Sequence, residues 1–312
     1  MGKYLKKFET TAQYESAKPN LILPNVSLIV ETNGVAYNPY VLETKLIVYY
    51  DIQDISSPTT VCTNYDGSFK SMEIDGVYSV DISTMGDKTY QFDSVGEHVI
   101  KYELNGLGTG APLFNNLSTV KRVVIPNVFT SIGNSAFYGC TNLTSCTIGN
   151  SVTSIGDNAF YNCNRLTSID IPSSVTSIGT RAFWGCSSIT SCTIGSGVTN
   201  IGEGAFTQCS GLTSIDIPSS VTSIGTFAFS VCISLTSCTI GSGVTSIGQA
   251  AFGGCSGLTS ATVRAITPPT LGTNAFDSNA SGRKIYVSSA SVNAYQSATN
   301  WSTYASDIEP IS

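Results

Sequence analysis

The chain has 312 residues, room for two ordinary domains or for one domain and a repeat array, and its 15 Lys+Arg against 21 Asp+Glu leave a formal net charge of −6. That balance argues against a nucleic-acid binder, which needs a basic footprint on phosphate. A single histidine, His98, leaves almost nothing for a Ser-His-Asp triad or a histidine-based metal site, and no run of 18 apolar residues exists to span a bilayer.

Residues 1–40 read as an attachment leader. Leu5, Phe8 and Ala12 share one helical face, and Lys18-Pro19 stops that helix. Lys3, Lys6 and Lys7 are followed by no apolar h-region, and Leu21-Ile22-Leu23 is interrupted by Pro24 and Asn25. The segment is a poor secretory signal, so the expectation is either a mature form after cleavage or a protein made and kept in the cytoplasm until something releases it, and the initiator Met favours the second. Residues 41–104 change character. Short runs at Leu46–Tyr50, Thr60–Cys62, Ser71–Ile74, Val77–Ile82, Thr89–Phe92 and His98–Leu104 read as strands, with Asp75-Gly76 as a hairpin turn. Several such runs at even spacing predict a small β-sandwich. The Gly- and Pro-rich composition of 105–119 predicts a linker.

From residue 120 the sequence copies itself. An Ala-Phe pair recurs at Phe137, Phe160, Phe183, Phe206, Phe229 and Phe252, always 23 residues apart. An Ile-Gly pair keeps the same step from Ile132 to Ile247, as does a cysteine from Cys140 to Cys255. A fixed period of this length means a solenoid, here over 120–281. Within one unit, Ile215 and Ile217 fall on one face of a short strand and Asp216 on the other. Val221 and Ile224 point inward from a second extended segment, Gly225 permits the turn after it, and Ala228-Phe229 begins a short helical turn. Units alternate between Leu-Thr-Ser-Cys-Thr-Ile-Gly and Leu-Thr-Ser-Ile-Asp-Ile-Pro, giving a 46-residue super-repeat. Lys284–Val287, Ala294-Tyr295 and Asn300–Tyr304, within 282–312, resemble the strand-and-helix cap that closes such arrays, with Ser291 as the N-cap of a helix holding Tyr295 and with Trp301 and Tyr304 over the last rung.

Leu143-Thr-Ser-Cys-Thr-Ile148, Val152-Thr-Ser-Ile-Gly156, Ala159-Phe160, Cys163 and their later copies resemble the leucine-rich repeats of the BspA-like type, over roughly residues 120–310. That resemblance implies a mainly β solenoid used in adhesion. Gly96-Glu-His-Val-Ile-Lys-Tyr102 resembles the last strand of bacterial immunoglobulin-like modules. In the leader, Tyr4-Leu-Lys-Lys-Phe-Glu-Thr10, Leu23-Pro-Asn-Val-Ser-Leu28 and Val35-Ala-Tyr-Asn-Pro39 resemble the openings of structural proteins from tailed phages of gut bacteria, the crAss-like group among them. It implies an attachment surface that includes Tyr4, Leu5, Phe8, Pro24 and Asn25.

Candidate chemistry is sparse. Nine of the ten cysteines sit at core positions of the repeats without a CxxC pair, so they read as small hydrophobes and not as metal ligands or disulfides. No metal and no cofactor are expected. His98 alternates on a strand and reads as a surface or packing residue. Asp170 and Asp216 face out of the strand ladder two rungs apart, too far for a retaining glycosidase pair. The residue after each Ala-Phe carries more information: Tyr138, Tyr161 and Trp184 occupy one offset in consecutive rungs. They predict an aromatic stripe on the turn side, with Arg181 beside Trp184 and Asn158 and Asn162 flanking Tyr161, a composition suited to recognition.

The expected function is non-enzymatic binding. The first expectation is a phage virion surface component (head fibre, capsid decoration or tail adhesin), made in the host cytoplasm. Its leader would dock to capsid or other virion protein, its repeats would meet host-surface glycan or protein, and its assembly would be a homotrimer. The second is a bacterial cell-surface adhesin of the BspA-like type. A third, from another class, is a glycan-active enzyme whose carboxylates would come from Asp51, Asp54, Asp66, Glu73, Asp75 and Asp81.

Overall fold

The computed structural model describes residues 46–62, 69–76, 78–81, 87–104 and 114–311. The leader, with Tyr4, Leu5, Phe8, Pro24 and Asn25, and residues 105–113 of the expected linker lie outside the described residues.

The N-terminal strands form two sheets. β1 (Leu46–Ile52), β3 (Phe69–Ile74), β4 (Tyr78–Asp81) and β6 (Gly96–Leu104) make an antiparallel sheet in the order β4-β3-β6-β1, and β2 (Thr59–Cys62) pairs with β5 (Lys88–Tyr90) in a second. Asp75 (φ 50°) and Gly76 (φ 73°) turn β3 into β4, the left-handed pair that a two-residue hairpin demands. Val48, Tyr50, Val61, Cys62, Ile100 and Tyr102 are fully buried. The two buried tyrosine hydroxyls lie 2.8 Å apart and both donate to the Val61 carbonyl, so the polar tips are satisfied inside the apolar layer.

This module is continuous with the solenoid. β7 (Val120–Ile125) pairs antiparallel with β1 and parallel with β9 (Ser145–Ile148), so β1 covers the edge that the first rung would otherwise expose. Phe114 and Leu117, within the span expected to be linker, are buried core residues; Phe114 stacks on Phe137 at 5.4 Å. Phe114 stands 23 residues before Phe137 but lacks the alanine that marks the later copies.

Each rung is held on three sides. On one, four-residue strands run in parallel register, for example Ile215 opposite Cys238 and Ile217 opposite Ile240. On the second, two-residue Ser-Ile strands form a seven-stranded ladder from β8 (Ser131–Ile132) to β20 (Thr270–Leu271). Gly225 belongs here; its need is contact more than turn freedom, because a Cβ would stand 2.7 Å from the backbone of Gly202 and Glu203 in the rung below. On the third, each Phe N–H donates to the next rung's Ala carbonyl, as from Phe183 to Ala205 at 2.7 Å. The segment after each Gly is a series of tight turns and not the helical turn expected, with Ala228 N donating to Gly225 O and Ser230 N to Phe227 O.

Inside, Phe114, Phe137, Phe160, Phe183, Phe206, Phe229, Phe252 and Phe276 form one stack with ring centroids 5.1–5.4 Å apart. The repeat cysteines do more than fill space. Phe carbonyls such as Phe160 O and Phe183 O accept one bond within their own rung, from Cys163 N at 3.1 Å and Cys186 N at 3.2 Å, and the thiol of the next rung supplies a second. Cys186 Sγ–H donates to Phe160 O at 3.1 Å, Cys209 to Phe183 O at 3.3 Å, and the pattern holds from Cys140 to Cys255. At the next step Asn279 replaces the thiol and donates to Phe252 O at 2.8 Å.

The 46-residue super-repeat has a structural consequence. Gly241 N donates to Ile217 O at 2.9 Å. At the matching place Pro172 and Pro218 have no N–H to give. There the strand face divides into β7-β9, then β11 (Ser168–Ile171) with β13 (Ser191–Ile194), then a sheet starting at β15 (Ser214–Ile217).

The C-terminal cap closes the stack as expected. Trp301 meets Phe276 at 5.9 Å, Tyr304 meets it edge-on at 5.9 Å, and Tyr295 packs edge-on against Trp301 at 4.8 Å. Their polar atoms are used: Trp301 Nε1 donates to Pro269 O and Tyr295 OH to Ala265 O, both at 2.7 Å. Ser291 precedes the helix α1 (Val292–Ser297) but makes no capping bond, because it already lies in a 3-10 turn, Ser289–Ser291, with helical backbone angles.

Replacing Cys186 by Ala removes the second of two donors to the buried Phe160 carbonyl, which keeps only the Cys163 N–H, and leaves a small void, whereas Ser restores a donor. The expected losses are about 2 kcal/mol for Cys186→Ala and about 1 kcal/mol for Cys186→Ser, read from urea denaturation. The reverse order would show that the thiol bond contributes nothing.

Candidate functional site

The outward side of the Ala-Phe turn carries the expected stripe. Two left-handed positions flank each Ala-Phe: Asn158 (φ 55°) and Asn162 (φ 56°) in the second repeat, Arg181 (φ 54°) and Gly185 (φ 73°) in the third. The asparagines expected to be polar recognition neighbours of Tyr161 therefore have a backbone reason to be there, since Asn tolerates this conformation better than most side chains. Between these positions the chain has one outward residue per rung, and stacking aligns its copies.

Tyr138 and Tyr161 stack at 4.8 Å with ring planes 2° apart, and Trp184 follows at 6.3 Å and 20°. All three are half-buried. Gly204 backs onto the far face of the indole; a Cβ there would stand 3.0 Å from Trp184 Cε3. Arg181 is exposed and sets its guanidinium 5.4 Å from the Trp184 ring centroid, a cation–π contact. The structure thus brings together Tyr138, Tyr161, Arg181 and Trp184. Both faces of Tyr161 are occupied by its neighbours, so the ladder presents ring edges and tyrosine hydroxyls to solvent.

Threonines line the flanks. Thr153, Thr176, Thr199, Thr222 and Thr245 each donate Oγ1–H to the preceding rung's threonine carbonyl at 2.9–3.1 Å. Their hydroxyl protons are spent within the array, leaving lone pairs and methyl groups outward. Asp170 and Asp216 are exposed on the strand face.

One feature of this side gave no signal in the repeat pattern as read. Phe227, Val231 and Ile233 of a single rung are 39%, 41% and 49% exposed. At the same offsets the other copies carry Ser, Asn, Arg, Gly, Ala or Gln, so Phe227 and Val231 are the bulky apolar exceptions among them.

The remaining reactive groups are structural. Burial pushes the Cys140 and Cys192 thiols up to about 12 and Cys62 to about 11, so they stay protonated at neutral pH. Among the described residues no group of three or more His, Cys, Asp or Glu is placed to hold a metal ion. No helix among them is long and apolar enough to cross a membrane. Of the carboxylates considered for an enzyme, Asp51 binds Gln53 Nε2, Asp54 braces Ser56, and Asp75 braces its own turn through Val99 N. Asp66 and the Asp81 side chain lie outside the described residues.

His98 is a packing residue. Its Nδ1 lies 2.7 Å from Asp75 Oδ2 and its Nε2 2.9 Å from the Ser94 carbonyl, with the Phe92 ring 4.5 Å away. A carboxylate and a carbonyl both accept, so satisfying the two nitrogens together requires the doubly protonated, cationic ring. Burial by itself lowers the His98 pKa, but the Asp75 and Ser94 bonds and the charges of Asp75 and Asp93 outweigh it and raise the value above that of free histidine.

The BspA-type leucine-rich repeat model matches residues 109–221 and 176–302, with six copies. That is well over half of the sequence, and the chain belongs to this family. Proteins of this family are surface proteins of adhesion and binding. Among solved structures, the chain is 29% identical to a leucine-rich repeat protein of T. pallidum, covering 50% of this chain and 75% of that one at a TM-score of 0.47. It is 26% identical to a leucine-rich repeat protein from Eubacterium ventriosum, covering 52% of this chain and 43% of that one at 0.46. A leucine-rich cell surface protein from Faecalibacterium prausnitzii is 26% identical, with 64% and 61% covered, at 0.33. No curated protein matches the sequence.

Because the folded-state pKa of His98 is raised, the ring's contribution to stability is full below the pKa of unfolded histidine and is lost as pH rises through the folded value. Thermal melts from about pH 5.5 to 8.5, the range in which histidine titrates, are expected to fall with rising pH. In His98→Gln that slope is expected to be absent. A wild-type slope unchanged in the variant would rule out His98 as its source.

Proposed function

We propose that this chain is a non-enzymatic binding protein whose Tyr138–Tyr161–Trp184 edge, with Arg181, meets a polypeptide partner. The observation that carries this is the stacking of the rings on one another. A sugar binds an aromatic side chain through the ring face, and here both faces of Tyr161 and the facing sides of Tyr138 and Trp184 are taken up by neighbouring rungs. Edges, hydroxyls and one guanidinium are left, which is the equipment of a protein–protein contact.

The location we propose first is a phage virion, as head fibre, capsid decoration or tail adhesin. Residues 1–40 would dock to capsid or another virion protein, within a homotrimer. This rests on the resemblance of the leader to phage structural proteins. The second reading, a bacterial cell-surface adhesin, is supported by the family. The immunoglobulin-like character of residues 41–104 and the divisions at 40, 104 and 281 belong to the same proposal, supported for the N-terminal module by its two-sheet arrangement.

Two measurements test it. Fluorescently labelled full-length protein is applied to gut bacterial cells pre-treated with proteinase K or with periodate. Binding is expected to vanish after proteinase, survive periodate, and fall about tenfold or more in Tyr138→Ser/Tyr161→Ser/Trp184→Ser. Loss after periodate alone would replace the polypeptide partner with a glycan, and undiminished binding of the triple variant would remove the aromatic edge. Mass spectrometry of density-purified phage particles and of cell envelopes separates the two locations.

A further inference from the structure

The turn around Phe229 departs from the rest of the array. The first left-handed position is filled elsewhere by Ser135, Asn158, Arg181, Gly204, Ala250 and Asn274, and the second by Gly139, Asn162, Gly185, Gln208, Gly254 and Ser278, none of them β-branched or aromatic. In this rung the two positions carry Phe227 (φ 57°) and Val231 (φ 60°). A β-branched residue in the left-handed region is a genuine outlier, and a bulky ring is little better. Two residues further on, where neighbouring rungs have Ser210 and Ser256, stands Ile233. All three side chains are exposed. Neither the backbone conformation nor the exposure helps the isolated chain fold, and strain retained in this way points to use at the surface.

We propose that Phe227, Val231 and Ile233 form a second contact site, which takes an extended polypeptide segment bearing uncharged, apolar side chains. Size and charge select this occupant. The three side chains offer roughly 200 Å² of apolar surface, against about 800 Å² per partner in a standard interface, so a second copy of the chain would have too little to hold. Residues 217–263 contain no Lys, Arg, Asp or Glu, so the occupant needs no charge of its own, and the exposed Glu203 of the rung below disfavours an acidic one. The backbone is already engaged, with Phe227 N donating to Gln249 O at 2.8 Å and Val231 N to Gly253 O at 2.9 Å. A partner therefore docks on side chains and does not add a strand. This site does not depend on the aromatic edge around Tyr161.

The test uses the full-length chain and the variant Phe227→Asn/Val231→Gly/Ile233→Ser, which restores the residue types of other rungs. Its melting temperature is expected to rise by about 3 °C or more as strain is relieved. A random peptide library is panned on the wild type, and enriched peptides are synthesised and titrated. They are expected to carry two or more apolar residues and to bind the variant at least about tenfold more weakly, with unchanged affinity for Tyr138→Ser/Tyr161→Ser/Trp184→Ser. A lower melting temperature in the variant would show that these residues stabilise the monomer, and would overturn the proposal. So would peptides that ignore the variant or depend on the aromatic edge, or a wild-type dimer in sedimentation that the variant abolishes.

Discussion

The stack of phenylalanine rings is the constraint on which the rest of this molecule depends. Aromatic rings pack with centroids about 4.5 Å or more apart, while parallel strands sit about 4.8 Å apart. A column of rings on a strand-based coil is compatible with both spacings, and the observed 5.1–5.4 Å lies within the range of ring contact and slightly above the strand spacing. The rungs are thereby held close. Gly225 and its counterparts follow from this closeness, as does the thiol that reaches the Phe carbonyl of the rung below. Tyr102 begins the column against Phe114, and Trp301 and Tyr304 end it against Phe276, so neither end leaves a ring in water.

The same closeness decides what the surface can do. One residue per rung projects from the outer turn, and the tight repeat forces its copies into face-to-face contact. Aromatic residues on such a turn lose their faces and keep their edges. A family whose core is so uniform can vary function only at these outward positions. This chain uses its turn surface unevenly, with stacked aromatic rings and a cation in the early rungs and the apolar side chains of Phe227, Val231 and Ile233 at the rung of Phe229. The threonine flanks give up their donors internally, so they add little directional chemistry of their own. On the binding reading proposed above, specificity would reside in these few turn residues.

The middle part of the molecule joins these properties to the N-terminal module. β7 belongs to both, antiparallel to β1 and parallel to β9. The module thus serves as the cap of the first rung, and its own core depends on two tyrosines that share one carbonyl. His98 and Asp75 brace the β3–β4 turn on its far side. Their ion pair is the one place in the described chain where protonation of a histidine is tied to fold stability.

Much was legible from residue order alone, because a repeat repeats its physics. The 23-residue step of Phe, Ile and Cys determined the solenoid, the inward faces of Ile215 and Ile217, the alignment of Tyr138, Tyr161 and Trp184, and the role of Trp301 in closure. The rest depended on neighbours in space. Phe114 joins the stack without the alanine that marks its copies, since only the position of its ring matters to the column. The thiol partners of the Phe carbonyls, and the division of the strand face at Pro172 and Pro218, arise from bonds between rungs, which no single unit displays. Asn158 and Asn162 were chosen for their backbone angles, and Phe227 and Val231 despite them; a φ value is a property of the closed turn, and only the folded chain has one.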